Sequence, residues 1–154
     1  MNKELHNNIK DLTAGFDTVL MATSSVDGVP EISYSPYGIV DGELHVFVSD
    51  LAVHTGNLKT NPRASLLFIE NEQDAEILHA RKRVTFTATA ELIDRKSDRF
   101  RSVMSVMQGR FGDIMPLLES LPDFHLFAMR TNCAVLVKGF ANAHTVECDG
   151  FPQP

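Results

Sequence analysis

Apolar and polar positions are most sharply patterned between residues 44 and 69, where two strand-like runs flank a short polar helix. In the first run Leu44, Val46 and Val48 alternate with His45, Phe47 and Ser49, a period of two that predicts a strand with one apolar face toward a core. The second run, Ala64 to Ile69, is apolar at nearly every position, which predicts a strand covered on both faces. Between them Ser49-Asp50 closes the first strand. Asn61-Pro62 stops the helix, because proline disfavours a helical conformation in the residue before it. The three elements make a ledge carrying His54, Asn57 and Lys59.

The remaining pattern surrounds this ledge with strands. Leu5, Ile9 and Leu12 recur at helical spacing before Gly15, predicting an amphipathic helix over 2–14 that lies across the core as a lid. Thr18–Ser24 and Pro30–Val40 read as strands joined at Asp27-Gly28, the second an edge strand or one interrupted at Pro36, since proline cannot donate to a sheet ladder. Asp41-Gly42 supplies the next turn, so the strands before the ledge form an antiparallel meander. Residues 71–80 form an acidic excursion. Arg81–Leu92 alternates cleanly, with Val84, Phe86, Ala88, Ala90 and Leu92 on one face and Thr85, Thr87, Thr89 and Glu91 on the other. Phe100, Val103, Met104, Met107, Phe111 and Ile114 mark a helix over 97–118, broken near Gly109, Gly112 and Pro116. Phe124–Met129 and Cys133–Phe140 finish the sheet as a strand pair around Arg130-Thr131-Asn132, and 149–154 reads as a loose tail. The fold class that follows is α+β, mainly β with peripheral helices: a split barrel of six or seven mostly antiparallel strands, in which closure removes exposed edges.

Composition narrows the possibilities. A chain of 154 residues with 44% hydrophobic content is expected to form a single domain, 1–154, with one buried core. A net charge of −6 offers no cationic field for nucleic acid or an anionic membrane surface. Apolar runs are short and the N-terminus is polar, so a cytoplasmic protein without a membrane span is expected. Cys133 and Cys148 lack a CxxC spacing and are read as reduced thiols.

Candidate chemistry is local and cationic. No two of the six histidines stand four apart on a predicted helix, which argues against a dedicated zinc site, and His45 and His125 read as partly buried strand residues bonded to backbone. No GxSxG, GxxxxGK[ST] or GxGxxG pattern occurs, and no catalytic side chain can be named. Arg81, Lys82 and Arg83 open the long strand and could hold a phosphate or carboxylate, or else pair with the neighbouring acidic excursion. Ser49, His54 and Asn57 could add neutral donors to the same anion if that strand lies beside the ledge.

The order of hairpin, Ser49-Asp50, His54-x-x-Asn57-Leu58-x-x-Asn61-Pro62, apolar strand and Ala80-Arg81-Lys82-Arg83-Val84-Thr85-Phe86 resembles the pyridoxamine-phosphate-oxidase-like FMN-binding split barrels. The stretches Pro30–Tyr37, Ile69–Arg83 and Pro122–His144 extend the likeness, most closely to the haem-utilisation branch of the HugZ/HutZ type. The resemblance implies a homodimer with two equivalent sites, each built from both chains. In flavin-binding relatives the FMN phosphate is held at the strand end before the short helix and near the start of the long strand, positions that fall here on Ser49, Val53, His54 and Arg83. The adjacent basic pair of flavin enzymes falls on Val53-His54, which leaves the phosphate to Arg81, Lys82, Arg83 and neutral donors. Haem-degrading relatives supply an axial histidine from a C-terminal extension beyond the GF-x-x-A stretch, a histidine this chain is expected to lack; His144, the histidine near the C-terminus, is the candidate ligand if haem is bound. Three functions stay open: an FMN-dependent oxidoreductase, which is the leading expectation; a haem-binding or haem-degrading protein; and a non-catalytic dimer without cofactor.

Overall fold

A computed structural model describes residues 2–152. Eight strands form one antiparallel sheet: β1 (Thr18–Ser24), β2 (Pro30–Pro36), β3 (Gly38–Val40), β4 (Glu43–Ser49), β5 (Arg63–Ile69), β6 (Arg83–Ile93), β7 (Phe124–Gly139) and β8 (Asn142–Glu147). Four helices accompany them: α1 (Lys3–Ala14), α2 (Val53–Thr60), α3 (Asp98–Phe111) and α4 (Ile114–Glu119). The strand order is β2-β1-β5-β6-β7-β4-β3, with β8 also on β7. The two ends of that order, β2 and β3, are separated in sequence only by Tyr37, so the sheet curls until its edges come together. This is the split barrel expected from the sequence, with the break in the Pro30–Val40 run at Pro36-Tyr37. Tyr37 is buried, and its hydroxyl donates to the carbonyls of Thr13 (3.0 Å) and Phe16 (2.8 Å) while Arg110 lies over its ring.

Several elements depart from their sequence reading, each for a physical reason. The β7 run was expected as two strands around Arg130-Thr131-Asn132. It is one strand, because the irregularity is absorbed by a bulge: Thr87 pairs with Cys133 and Ala88 with Thr131, leaving Asn132 as the extra residue. The His144 region is a strand, β8, turned back by Ala141 at φ 56. The strands before the ledge do not form a simple meander, since β3 pairs with β4 at the sheet edge opposite β2. At the first hairpin only Gly28 adopts positive φ, whereas Asp41 and Gly42 both do.

Burial of the two ledge strands is also the reverse of expectation. β4 is covered on both faces: Leu44, Val46 and Val48 enter the barrel interior, and Phe47 packs edge-on against Phe100 of α3. β5 buries only Ala64, Leu66 and Phe68, while Arg63, Ser65, Leu67 and Ile69 stay open or half-open. α3 supplies the second cover for β4, and among the described residues nothing does so for β5. At the α3 crossing Gly38 allows close approach: a Cβ there would lie 2.5 Å from Met107 Sδ, and the Met107 side chain would have to shift.

The stretch read as a loose tail is pinned as far as it is described. Gly150 N–H donates to the Thr131 carbonyl (3.3 Å) and Phe151 N–H to the Gly42 carbonyl (2.6 Å). The Phe151 ring is 4% exposed and sits 4.9 Å from Phe86 and 5.8 Å from Phe68, closing one end of the interior. An aromatic ring near a chain terminus removes enough apolar area from water to offset the entropy of ordering the few residues that carry it. Residues 153–154 lie outside the described part of the chain.

Candidate functional site

The ledge forms where β4 ends. Thr55 Oγ1 donates to the Ser49 carbonyl (2.5 Å), Ala52 N–H donates to the same carbonyl (3.1 Å), and together these turn the chain from strand into α2. Ser49 Oγ donates to Asp123 Oδ2 (2.7 Å) and accepts from Leu51 N–H (3.1 Å). Asp50 N–H donates to the Asp123 carbonyl (2.9 Å), so the loop entering β7 is stitched to the end of β4. Leu51 and Val53 are exposed apolar residues at this corner.

α2 fixes three polar side chains with different fates. His54 is largely buried, and its Nδ1 lies 2.9 Å from Ser33 Oγ on β2, which orients the ring. Burial pushes its pKa below the usual histidine value, against the weaker opposing pull of Glu31, so the ring is neutral near pH 7. Asn57 is buried and donates through Nδ2 to Thr23 Oγ1 (3.1 Å), which makes it a strut between helix and sheet. Lys59 Nζ lies 2.6 Å from Asp50 Oδ1 and 3.1 Å from His125 Nε2, and that nitrogen is 2.9 Å from Asp50 Oδ2. The Lys59 ammonium, and His125 after it, hold the Asp50 carboxyl below its usual range.

The three consecutive cations do not reach this ledge within one chain. β5 leaves α2 at Arg63 and meets Arg83 only at Ile69. Seven strand residues put about 20 Å between the two ends. Arg81 donates through Nε (3.0 Å) and Nη2 (2.6 Å) to the Glu70 carbonyl and lies near Glu72, and Lys82 N–H donates to Glu70 Oε1 (2.8 Å). Arg81 thus meets the acidic excursion, one of the two alternatives open from the sequence. Arg83 points to the same outer face of the sheet as Thr85 and Thr87. His144 sits on β8 opposite Leu136, with Nε2 2.5 Å from Asn142 Oδ1, while Ser49 pairs with Phe124 at the other end of β7.

Sequence reasoning missed Asp123 and His125 as members of the ledge, and Ser33 and Thr23 as its supports. The β4–β7 pairing brings Asp123 and His125 in over more than 70 residues of sequence, which no local pattern reports. His125 bonds to side chains, not to the backbone as expected. His45 is fully buried, with the Glu43 backbone beside its ring, on the side expected, but no well-formed hydrogen bond at either ring nitrogen.

Residues 5–136 match the family model described as pyridoxamine 5'-phosphate oxidase. The chain belongs to that family. Within it, the chain is 37% identical over 145 residues to haem oxygenase HutZ of Vibrio cholerae, an alignment covering 94% of this chain and 82% of that protein. The crystal structure of Vibrio cholerae HutZ, described as a haem storage protein, superposes with a TM-score of 0.81 at 34% identity, covering 86% of this chain and 94% of that one. Campylobacter jejuni ChuZ superposes at a TM-score of 0.86 with 22% identity, covering 99% of this chain and 63% of the other, a likeness of fold. These relatives place the chain on the haem-utilisation side of the pyridoxamine-phosphate-oxidase-like proteins. Both descriptions of Vibrio cholerae HutZ, as haem oxygenase and as haem storage protein, are of a haem protein. No helix among the described residues is long and apolar enough to cross a membrane.

Proposed function

We propose that this protein binds haem for utilisation, as a homodimer whose ledges lie between the two copies. The observation that carries this reading is the ledge's donor set. An FMN phosphate is a dianion that needs fixed cations or a bare helix terminus rich in donors. Here the position of the flavin enzymes' basic pair holds Val53 and His54, the cation of α2, Lys59, is engaged by Asp50, and Arg81 is engaged by Glu70. What the ledge does offer is a neutral, oriented imidazole beside exposed apolar Leu51 and Val53. That combination suits a flat apolar macrocycle with a metal at its centre. Haem, when bound, supplies iron-centred redox chemistry with oxygen; the chain's part is to hold and orient it and to keep water off one face.

His54 is the ledge histidine assigned to this cofactor, with Ser33 setting its ring angle and Ser49 holding the corner through Asp123. Asn57 contributes by bracing α2. A second copy is needed to enclose the site, and the sheet's outer face suits it. Tyr34 of β2, Leu20 of β1, Leu67 of β5 and Val135 of β7 lie in one cross-strand register, with Thr85 of β6 between the last two and Ile32 beside Tyr34, and give that face an open, largely apolar row. Arg83 stands on that face, so the partner's copy of this residue is the cation assigned to a haem propionate. His144 is left out of the site. Titrating the purified protein with haem and following the Soret band tests the reading. One haem per chain, with a band altered by His54→Ala, supports it; protein that purifies with bound flavin and ignores haem rejects it.

A further inference from the structure

His45 occupies an unusual place in the fold. It lies on the face of β4 that turns toward α3, between Gly38 of β3 and Ala128 of β7, and is 1% exposed. No side chain bonds Nδ1 or Nε2, and the Glu43 backbone beside the ring makes no well-formed hydrogen bond to either, so its upward pull on the ring is outweighed by burial. A buried polar atom without a good hydrogen bond destabilises the packing around it, so an apolar side chain of similar size would hold α3 more firmly.

Charged groups surround the ring on every packed element. Glu43 stands two residues before it on β4, Asp41 lies in the β3–β4 turn, Glu91 is on β6, Arg130 on β7 and Arg99 on α3. Four of these are already committed to one another. Arg99 pairs with Glu43 and with Glu91 (3.4 Å), and Arg130 pairs with Glu43 (3.1 Å) and Glu91 (2.5 Å). A proton taken up by His45 finds each nearby paired carboxylate already facing two guanidinium groups. The closed structure therefore offers the imidazolium no water, and Asp41 in the β3–β4 turn, the nearby carboxylate not shared with a guanidinium among the described residues, exerts a weaker pull than burial does.

We propose that His45 is an acid-sensitive catch between the sheet and α3, and that protonation of its ring releases α3 so that water reaches the imidazolium. Burial holds the closed ring's pKa below the ordinary histidine value. An opened segment restores the ordinary value of about 6.5. The open state then binds more protons than the closed one at pH below about 6.5, so acid favours opening, by up to about tenfold per pH unit until the closed ring itself titrates. Release would reach the ledge, because Arg95, stacked on Phe100 of α3, donates to the carbonyls of Phe124 (2.8 Å) and Glu119 and so ties α3 and α4 to the start of β7. The catch does not depend on what the ledge binds.

Amide hydrogen exchange on the full chain tests this without any cofactor. Opening of α3, corrected for intrinsic exchange, is followed from about pH 7.5 to 5.5, a window above the ordinary carboxylate titrations. Opening should rise roughly tenfold across it in the native protein, with β1 and β5 amides unchanged. His45→Phe should fold, protect α3 more strongly and flatten the pH dependence; His54→Gln should leave it intact. If His45→Phe does not fold, His45→Gln, neutral throughout, takes its place. PH-independent opening of α3 in the native protein, an equal rise over the whole sheet, or the same dependence after His45 is replaced would overturn the proposal.

Discussion

Replacing Phe151 by alanine measures how much the final described segment contributes to the barrel. The ring is almost wholly buried and faces Phe86, Phe68 and Tyr37 at centroid distances of 4.9, 5.8 and 6.5 Å. A buried Phe→Ala change costs about 3–5 kcal/mol, the lower figure applying where the site can collapse. The segment after β8 is held by few backbone bonds, so part of the cavity can be relieved by its displacement, and a loss of about 3 kcal/mol is expected. For a chain of this length that lowers Tm by about 6–12 °C. Urea unfolding is the assay: the midpoint should fall with the slope unchanged, since the native core stays compact and the unfolded chain is the same. Phe151→Leu should recover much of the loss. A change below about 1 kcal/mol would refute the reasoning and return the segment to the status of a loose tail.

Other perturbations test other parts. Gly38→Ala places a methyl 2.5 Å from Met107 Sδ at the α3 crossing and should cost about 1–3 kcal/mol by chemical denaturation. Leu67→Asp puts a charge on the open apolar row and should convert dimer to monomer by light scattering, with the secondary structure retained. Asp50 has a lowered folded-state pKa, so the stability it contributes is present above the ordinary carboxylate range and lost as pH falls through the lowered value. Lys59→Met should therefore move the Asp50 carboxyl midpoint upward by NMR, and an unmoved midpoint would remove Lys59 as the cause. Arg83→Ala should weaken haem binding by about 1.5–3 kcal/mol if the partner's guanidinium meets a propionate, and unchanged affinity would place Arg83 outside the site.

Much of this architecture is written in local periodicity, and the departures come from contacts that periodicity does not carry. The alternation in Arg81–Leu92 and the helical spacing in α3 hold because each element meets one continuous apolar surface. β4 and β5 exchanged their expected exposures because the deciding partner, α3, arrives about 50 residues later and chooses the β4 side. The tail was misread since a lone Phe151 among Gly and Pro resembles a terminus until the barrel end it fills is known. At the ledge, Ser49 and His54 were legible from the strand–helix–strand order. Asp123 and His125 were not, because antiparallel pairing of β4 with β7 supplies them, and the distance of Arg81–Arg83 from the ledge follows from the same kind of pairing between β5 and β6.

Haem titration of the purified protein combined with native mass spectrometry bears most directly on function. A dimer carrying two haems, with a Soret band that changes when His54 is replaced, is the predicted outcome. A monomer that leaves the haem spectrum untouched, or a dimer that arrives from purification with flavin bound, would contradict it.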